Sequence, residues 1–310
     1  MFTVGSDPEF MLVDGNNLKS AIEKIKRNAE DRIKIKGHEF YYDNVLGECA
    51  VKPASGKEKV IASFKECLEI YAELVSPLKL TARAYAEYPE SELNHPDARR
   101  VGCAIDRCAY LVADVKPPKS IIEGTALRSG GGHIHLGSKT LLNEYGLFLA
   151  PTIVLMDLFL GIPSLYIDHD PTSAKRRSIY GQAGRYRIKE YGLEYRTLSN
   201  FWLASPKLVG FMYDLSEFVL GLTAEIKKTG EDIFESDLCH CNFDKYCGDK
   251  PAKAYKYAFD VNELQKTINS SDKENKMLDF VLSKLPQNLV TEFEQLRKPV
   301  QYDLYKEWDL

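Results

Sequence analysis

The chain has few cysteines, no surplus of positive charge and no unbroken apolar run of about 18 residues, the length a bilayer-spanning helix needs. Seven cysteines over 310 residues, an odd number, exclude the disulfide framework of a small secreted domain and predict free thiols in a reducing compartment. A net charge of −4 excludes a generic nucleic-acid coat, so any nucleic acid would be met at a local site. The opening MFTVGSDPEF lacks the basic-then-apolar pattern of a targeting segment, so the expected location is the cytoplasm, with no membrane partner. Linkers rich in Gly, Ser or Pro, internal repeats and low-complexity tracts are also missing. SGGGHIHLG is not followed by Gly-Lys-Ser/Thr and runs into a strand, which argues against a Walker-type phosphate loop. Its His-x-His has no Glu at the short distance a cupin metal site requires.

What is there suits a globular protein: 44% hydrophobic and 28% charged residues, enough for one large core or two modest ones. Up to about residue 55 the chain reads as strands, TVGSDPEFMLV, IKIKGHEFYYD and VLGECAVKP, parted by Gly-Asn-Asn and Asp-Asn turn signals. KEKVIASFKECLEIYAELV repeats apolar residues three and four apart, which predicts a one-sided helix over 57–75. TARAYAEYPE returns to strand. LLNEYGLFLAPTIVLMDLFLG, over 141–161, is too apolar for a surface helix and is interrupted by Pro151, which predicts a buried helix pair. GRYRIKEYGLEYRTLS predicts a hairpin turning at Tyr191-Gly192, with a helix after it near 205–227. Strands outnumber those of a βαβ alternation, so the expected class is α+β, an antiparallel sheet with helices on one side. Residues 1–227 form the main domain, and 228–310 a charged helical extension packed on it.

Candidate functional residues come in alternating pairs. A strand sends every second residue to the same face, so Asp7 and Glu9 share one while Phe10 and Leu12 enter the core. Two carboxylates side by side are tolerable if solvated, or if a cation lies between them. His133 and His135, then Arg185, Arg187 and Lys189, then Glu194 and Arg196, repeat the device with other chemistry. Any one pair is what a half-wet sheet produces routinely. If all line one face, Asp7, Glu9, Glu48 and Glu194 supply four negative charges with His133 as a nitrogen donor, a set suited to two or more Mg²⁺ or Mn²⁺ ions. Arg185, Arg187 and Arg196 would then face polyanion oxygens, the parts of a phosphoryl-transfer site with ATP as its ligand.

In order along the chain, DPEF, the Glu of GEC, SGGGHIHLG and GRYRIKEYGLEYRTLS resemble the glutamine synthetase and glutamate–cysteine ligase superfamily, and more closely the phage-encoded type 2 carboxylate–amine ligases. The resemblance spans roughly residues 5–200. It implies a glutamine synthetase-like catalytic domain over 1–227, with a curved antiparallel sheet and helices on its outer face. It also implies a reaction in which ATP phosphorylates a carboxylate and an amine attacks the acyl phosphate, giving an amide, ADP and phosphate. By the same resemblance Glu9, Glu48 and a third acidic group hold one metal, and Asp7, His133 and Glu194 the other. Asp7 stands where glutamine synthetases carry Glu, leaving direct or water-mediated ligation open. Asp43 is a candidate third carboxylate or a turn residue of Tyr-Asp-Asn. His135 would sit near the nucleotide, Arg185 and Arg187 against phosphates, and Arg196 beside the transferred phosphoryl group.

Other features carry paired readings. Lys175, Arg176 and Arg177 read as a solvated loop or mobile flap. Asp106 reads as an amine-orienting group or a helix cap. Cys239, His240, Cys241 and Cys247 lack a common structural zinc spacing and read as free thiols. Two functions compete with the ligase: an inactive phage protein that keeps the fold to bind a partner, and a metal-dependent phosphohydrolase. Substrates range over small-molecule or peptide acids and amines, with nucleic acid entering only as a modified base, and an oligomer is compatible with the resemblance.

Overall fold

The computed structural model describes residues 2–100, 106–111, 113–115, 125–138, 149–229, 260–274 and 276–310. Its N-terminal part contains β1 (Thr3–Ser6), β2 (Glu9–Asp14), β3 (Asn17–Lys19), α1 (Ile22–Ile25), β4 (Ile33–Ile35), β5 (His38–Asp43), β6 (Leu46–Ala54) and α2 (Lys57–Val75). Next come β7 (Lys79–Thr81), β8 (Tyr85–Glu87), β9 (Asp106–Cys108), β10 (Ala113–Val115), β11 (Leu127–Ser129), β12 (Ile134–Gly137), α3 (Leu149–Ile167) and α4 (Ser173–Ile179). β13 (Arg185–Lys189) and β14 (Gly192–Tyr195) form a hairpin, and α5 (Pro206–Thr229) follows. The C-terminal helices are α6 (Val261–Ser270), α7 (Met277–Lys284), α8 (Gln287–Leu296) and α9 (Leu304–Trp308).

Twelve of these strands form one antiparallel sheet, with β10-β9-β13-β14-β12-β1-β6-β2-β3 as its main path and β4, β5 and β7 branching from it. The α+β expectation is met. Pairing registers set which residues face together: Glu9 lies opposite Glu48, Tyr41 opposite Glu48, His135 opposite Glu194, and Arg187 opposite Glu194. The β5–β6 turn at Asn44-Val45 uses the left-handed backbone at Asn44 (φ 48°), which asparagine tolerates better than most residues. That turn leaves Asp43 at the strand end, on the face that carries Glu48.

The other face is covered by helices. Val60, Phe64, Cys67, Leu68, Tyr71 and Val75 of α2 are buried at three and four spacing, each side chain contributing roughly 1.5–3 kcal/mol on burial. α5 packs on both α2 and α3. Of the expected helix pair over 141–161, residues 141–148 lie outside the described residues; from Leu149 the chain runs as one helix past Pro151 and through a π-helical segment at Asp157–Gly161. Among the described residues this is one helix long and apolar enough to cross a membrane, and it is 83% buried inside the fold. The hairpin turns at Glu190-Tyr191, one residue before the expected place, because Lys189 pairs with Gly192. The predicted strand over TARAYAEYPE splits into β7 and β8. The C-terminal helices share the core, with Phe293 and Trp308 buried and the Trp308 Nε1 donating to the Leu203 carbonyl at 2.8 Å.

Candidate active site

The polar face of the sheet gathers the alternating pairs. Asp7 ends the β1 strand's run and Glu9 opens β2. The Asp7 Oδ1 lies 2.9 Å from His133 Nδ1 and 3.0 Å from His135 Nε2. Glu194 is fully buried among cations: Lys189 Nζ lies at 2.6 Å, Arg187 Nη1 at 3.6 Å, and Arg196 Nη1 donates to Oε1. Donor atoms from Asp7, His135 and Glu194 all lie within 4.8 Å of one another, and so do those from Glu9, Asp43 and Glu48. The face therefore carries two acidic groups, split between Asp7 and Glu9 across Pro8.

Asp43 joins Glu9 and Glu48, as the candidate third carboxylate of that group. In the other group both histidines bring a nitrogen to Asp7, His133 through Nδ1 and His135 through Nε2. His133 Nδ1 is shared between Asp7 and Arg196 Nη1 (3.2 Å) and lies 3.5 Å from Glu194. Burial, then the Arg196 charge, push the His133 pKa down to about 3, so its ring is neutral at pH 7. If Nδ1–H donates to Asp7, Nε2 remains a buried lone pair without a partner, the form in which imidazole ligates metal.

Electrostatics differ between the groups. Burial works against the Asp7 charge, yet His135 and His133 hold its carboxyl well below the usual range. In the Glu9 group the Gly131 amide, Arg196 and Arg176 favour the Glu9 charge, but less than burial and Asp43 oppose it. Burial and then Asp43 push Glu9 up to about 7, burial and then Asp7 raise Glu48 well above normal, and burial raises Asp43. Glu48 also accepts from Tyr41 Oη at 2.7 Å. Glu9 is clamped to the glycine loop, accepting from the Gly131 amide at 2.7 Å while its own amide donates to the Gly131 carbonyl at 2.9 Å.

A test by pH follows. The folded Glu9 pKa of about 7 exceeds the roughly 4.3 of an unfolded chain, so the folded state binds more protons and stability falls as pH rises through that window. A divalent cation would cancel the repulsion and release the protons. The rise in melting temperature on adding Mn²⁺ should therefore be larger at pH 8 than at pH 6, and equal shifts would contradict a cation at Glu9.

The arginines divide. Arg196 is buried; burial opposes its charge, but Tyr180, Asp106 and Asp7 hold it firmly protonated. It donates to Glu194 and to the Tyr180 hydroxyl, and its Nε lies 3.2 Å from Asp106. Arg187 Nε donates to the same Asp106 Oδ1 at 3.1 Å. Asp106 thus braces two arginines and caps no helix, since it opens β9. Arg185 stands apart, donating to Gln182 Oε1 at 2.8 Å, with no ion pair to the acidic groups among the described residues. The basic run is a correction: Lys175 is exposed, but Arg176 and Arg177 are buried on α4, so it is no solvated flap. Asp43, Lys189, Asp106, Tyr180 and Arg176 complete the constellation, and only Lys189 had an alternation signal pointing to this face. Cys49, Cys67 and Cys108 are free thiols, while Cys239, His240, Cys241 and Cys247 lie outside the described residues.

Behind the sheet, Asp157 of α3 accepts from Tyr195 Oη at 2.6 Å, Tyr110 Oη at 2.7 Å and Thr197 Oγ1 at 3.1 Å, and burial lifts its pKa to about 6. Pinning Tyr195 to the helix side forces its neighbours Glu194 and Arg196 to the opposite side. Beside Asp7 a cavity of about 380 Å³ is lined by Arg32, Tyr41, Tyr191, Lys189 and His135 among others. There His135 stacks on Tyr191 with centroids 5.9 Å apart, and Tyr191 Oη lies 2.8 Å from His135 Nδ1.

An antiparallel sheet that sets paired carboxylates against a bank of cations suits an enzyme that must tame anionic oxygens, and a carboxylate–amine ligase is such an enzyme. Comparison with family models makes the class specific: the chain belongs to the family described as Phage phiEco32-like COOH.NH2 ligase-type 2, whose model matches residues 126–308, more than half of the chain. The match includes His133, His135, Arg187, Glu194 and Arg196, while Asp7, Glu9, Asp43 and Glu48 precede it. Among curated proteins none matches the chain.

Proposed function

We propose that this carboxylate–amine ligase is ATP-dependent, has a glutamine synthetase-like catalytic fold, and activates its acid as an acyl phosphate, releasing ADP and phosphate. The observation that supports it most is the division of one sheet face into two acidic groups bordered by Arg187, Arg196 and Lys189. Carboxylate oxygens are hard donors and imidazole a borderline one, a mainly oxygen set that fits Mg²⁺ or Mn²⁺ better than a thiophilic metal. Glu9, Asp43 and Glu48 would hold one ion, and Asp7, Glu194 and one of His133 and His135 the other. Such ions would supply positive charge that offsets that of phosphate oxygens when bound.

The remaining work falls to the protein. A carboxylate is a poor electrophile because oxide cannot leave; transfer of a phosphoryl group to its oxygen supplies a leaving group. Arg196, held in place by Glu194, Asp106 and Tyr180, offsets charge on that group, and Arg187 and Lys189 extend the same cationic edge. The cavity beside Asp7, with the stacked His135 and Tyr191 and the cations Arg32 and Lys189, suits a nucleotide. The amine nitrogen then attacks the acyl carbon, phosphate leaves and the nitrogen loses a proton. An ATP-driven ligase acts where ATP is made, in the cytoplasm.

Hydroxylamine tests this reading without knowledge of the natural amine. Protein, ATP, Mg²⁺ and a panel of amino acids and small acids should give ADP together with a hydroxamate that forms only when an acid is present. ADP release without hydroxamate and indifferent to acid would instead mark a phosphohydrolase.

A further inference from the structure

Arg176 is fully buried, yet only its Nη1 is satisfied, donating to the Thr197 carbonyl at 2.9 Å. Nε and Nη2 have no hydrogen-bond partner among the described residues. Those two nitrogens form one edge of the planar guanidinium, two near-parallel N–H bonds whose spacing matches the two oxygens of a carboxylate. Arg177 is an internal control. It is as deeply buried, but it donates to Ser271 Oγ at 3.0 Å and Ser173 Oγ at 3.5 Å and lies 3.7 Å from Asp168.

A buried cation with two unsatisfied N–H groups is costly, and the surrounding backbone is shaped to admit this one. Gly181 adopts a φ of 77° and a Cβ there would collide with Arg176 Nη1. At Gly131 a Cβ would stand 3.3 Å from Arg176 Nη2 and 2.6 Å from His133 Nε2, which is also unpartnered. Bare backbone at Gly131 thus lets two unsatisfied nitrogens close in on the same point of the chain. This edge of Arg176 is at the Glu9 end of the site, since Glu9 accepts from the Gly131 amide. Lys189, Arg187 and His135 gather at the opposite end, around Glu194 and Asp7, where the nucleotide cavity opens.

We propose that Arg176 recognises the substrate acid, taking both carboxylate oxygens side-on through Nε and Nη2. The assignment rests on the ligase reading above and adds to it which end of the site holds the acid. Both nitrogens are buried in this conformation, so the acid enters as the surrounding side chains give way.

The test is a melting series on the whole chain with Mg²⁺ and a non-hydrolysable ATP analogue, adding acetate, succinate, L-glutamate or inorganic phosphate at matched ionic strength. At least one acid should raise the melting temperature of wild type. Arg176→Met, which removes the charge, and Arg176→Lys, which keeps it but loses the fork, should bind the analogue as wild type does yet require about tenfold or more acid for the same rise. Variants that respond to acid like wild type would overturn the assignment. So would a wild type stabilised by phosphate alone or by none of these anions, and so would variants that lose the analogue as well, since Arg176 would then be structural. Failure of wild type to bind the analogue would overturn the ligase reading itself.

Discussion

Glu194→Ala should abolish metal-dependent nucleotide binding and lower stability by about 3–5 kcal/mol, the usual consequence of removing one partner from a buried charge cluster. The reason is the company Glu194 keeps. Its carboxylate is fully buried, accepts from Arg196 Nη1 and lies close to Lys189 and Arg187, so its loss removes the group that all three cations share and leaves Asp106 to pair with the two arginines. Repulsion then falls on the very groups that would receive phosphate, and the second acidic group loses a donor. Glu194→Gln separates the two effects. It preserves volume and some hydrogen bonding, so it should fold more nearly like wild type while binding Mg²⁺ and nucleotide at least tenfold more weakly. Thermal melts and calorimetry on the pair provide the check; unchanged Mg²⁺-dependent binding in Glu194→Gln would remove Glu194 from the metal site.

Arg196→Ala should have the opposite profile. Arg196 is braced by Glu194, Asp106 and Tyr180, an arrangement that holds a cation still while charge builds on a neighbouring oxygen. Its contribution is greatest when the phosphoryl group is in transit, so binding of the ATP analogue should change less than about threefold while the acid-dependent hydroxamate rate falls about 10²–10³-fold. Equal losses in binding and rate would mean that Arg196 holds the ground-state nucleotide instead.

Both predictions depend on residues that alternation exposes in the sequence. Asp7-Pro8-Glu9 and Glu194-Tyr195-Arg196 are legible because a strand's period of two puts like residues on one face regardless of what lies elsewhere. The helix at 57–75 is legible for the same kind of reason, its stripe being strong and uninterrupted. Other parts depend on three-dimensional facts. Whether Asp43 is a turn residue or a member of the Glu9 group is decided by a hairpin register that pairs it with Leu46. Which histidine meets Asp7 and Glu194 most closely depends on the rotation of β12, and alternation places both on the same face. Arg176 carries no local signal at all: Lys-Arg-Arg on a short helix reads as solvated, and its burial follows from α4 lying between α6 and the glycine loop.

The most direct measurement is calorimetric titration of a non-hydrolysable ATP analogue into the purified protein, with Mg²⁺ or with chelator, for wild type and for Glu9→Gln. Glu9 is half-buried, tied to Gly131 and pushed up to a pKa of about 7, so Glu9→Gln resembles its protonated form and should leave the fold intact. The account predicts binding by wild type that requires Mg²⁺ and is weakened at least tenfold in the variant. Binding unaffected by chelator, or by the substitution, would contradict a metal site at Glu9, and no binding by wild type would contradict the ATP-dependent ligase.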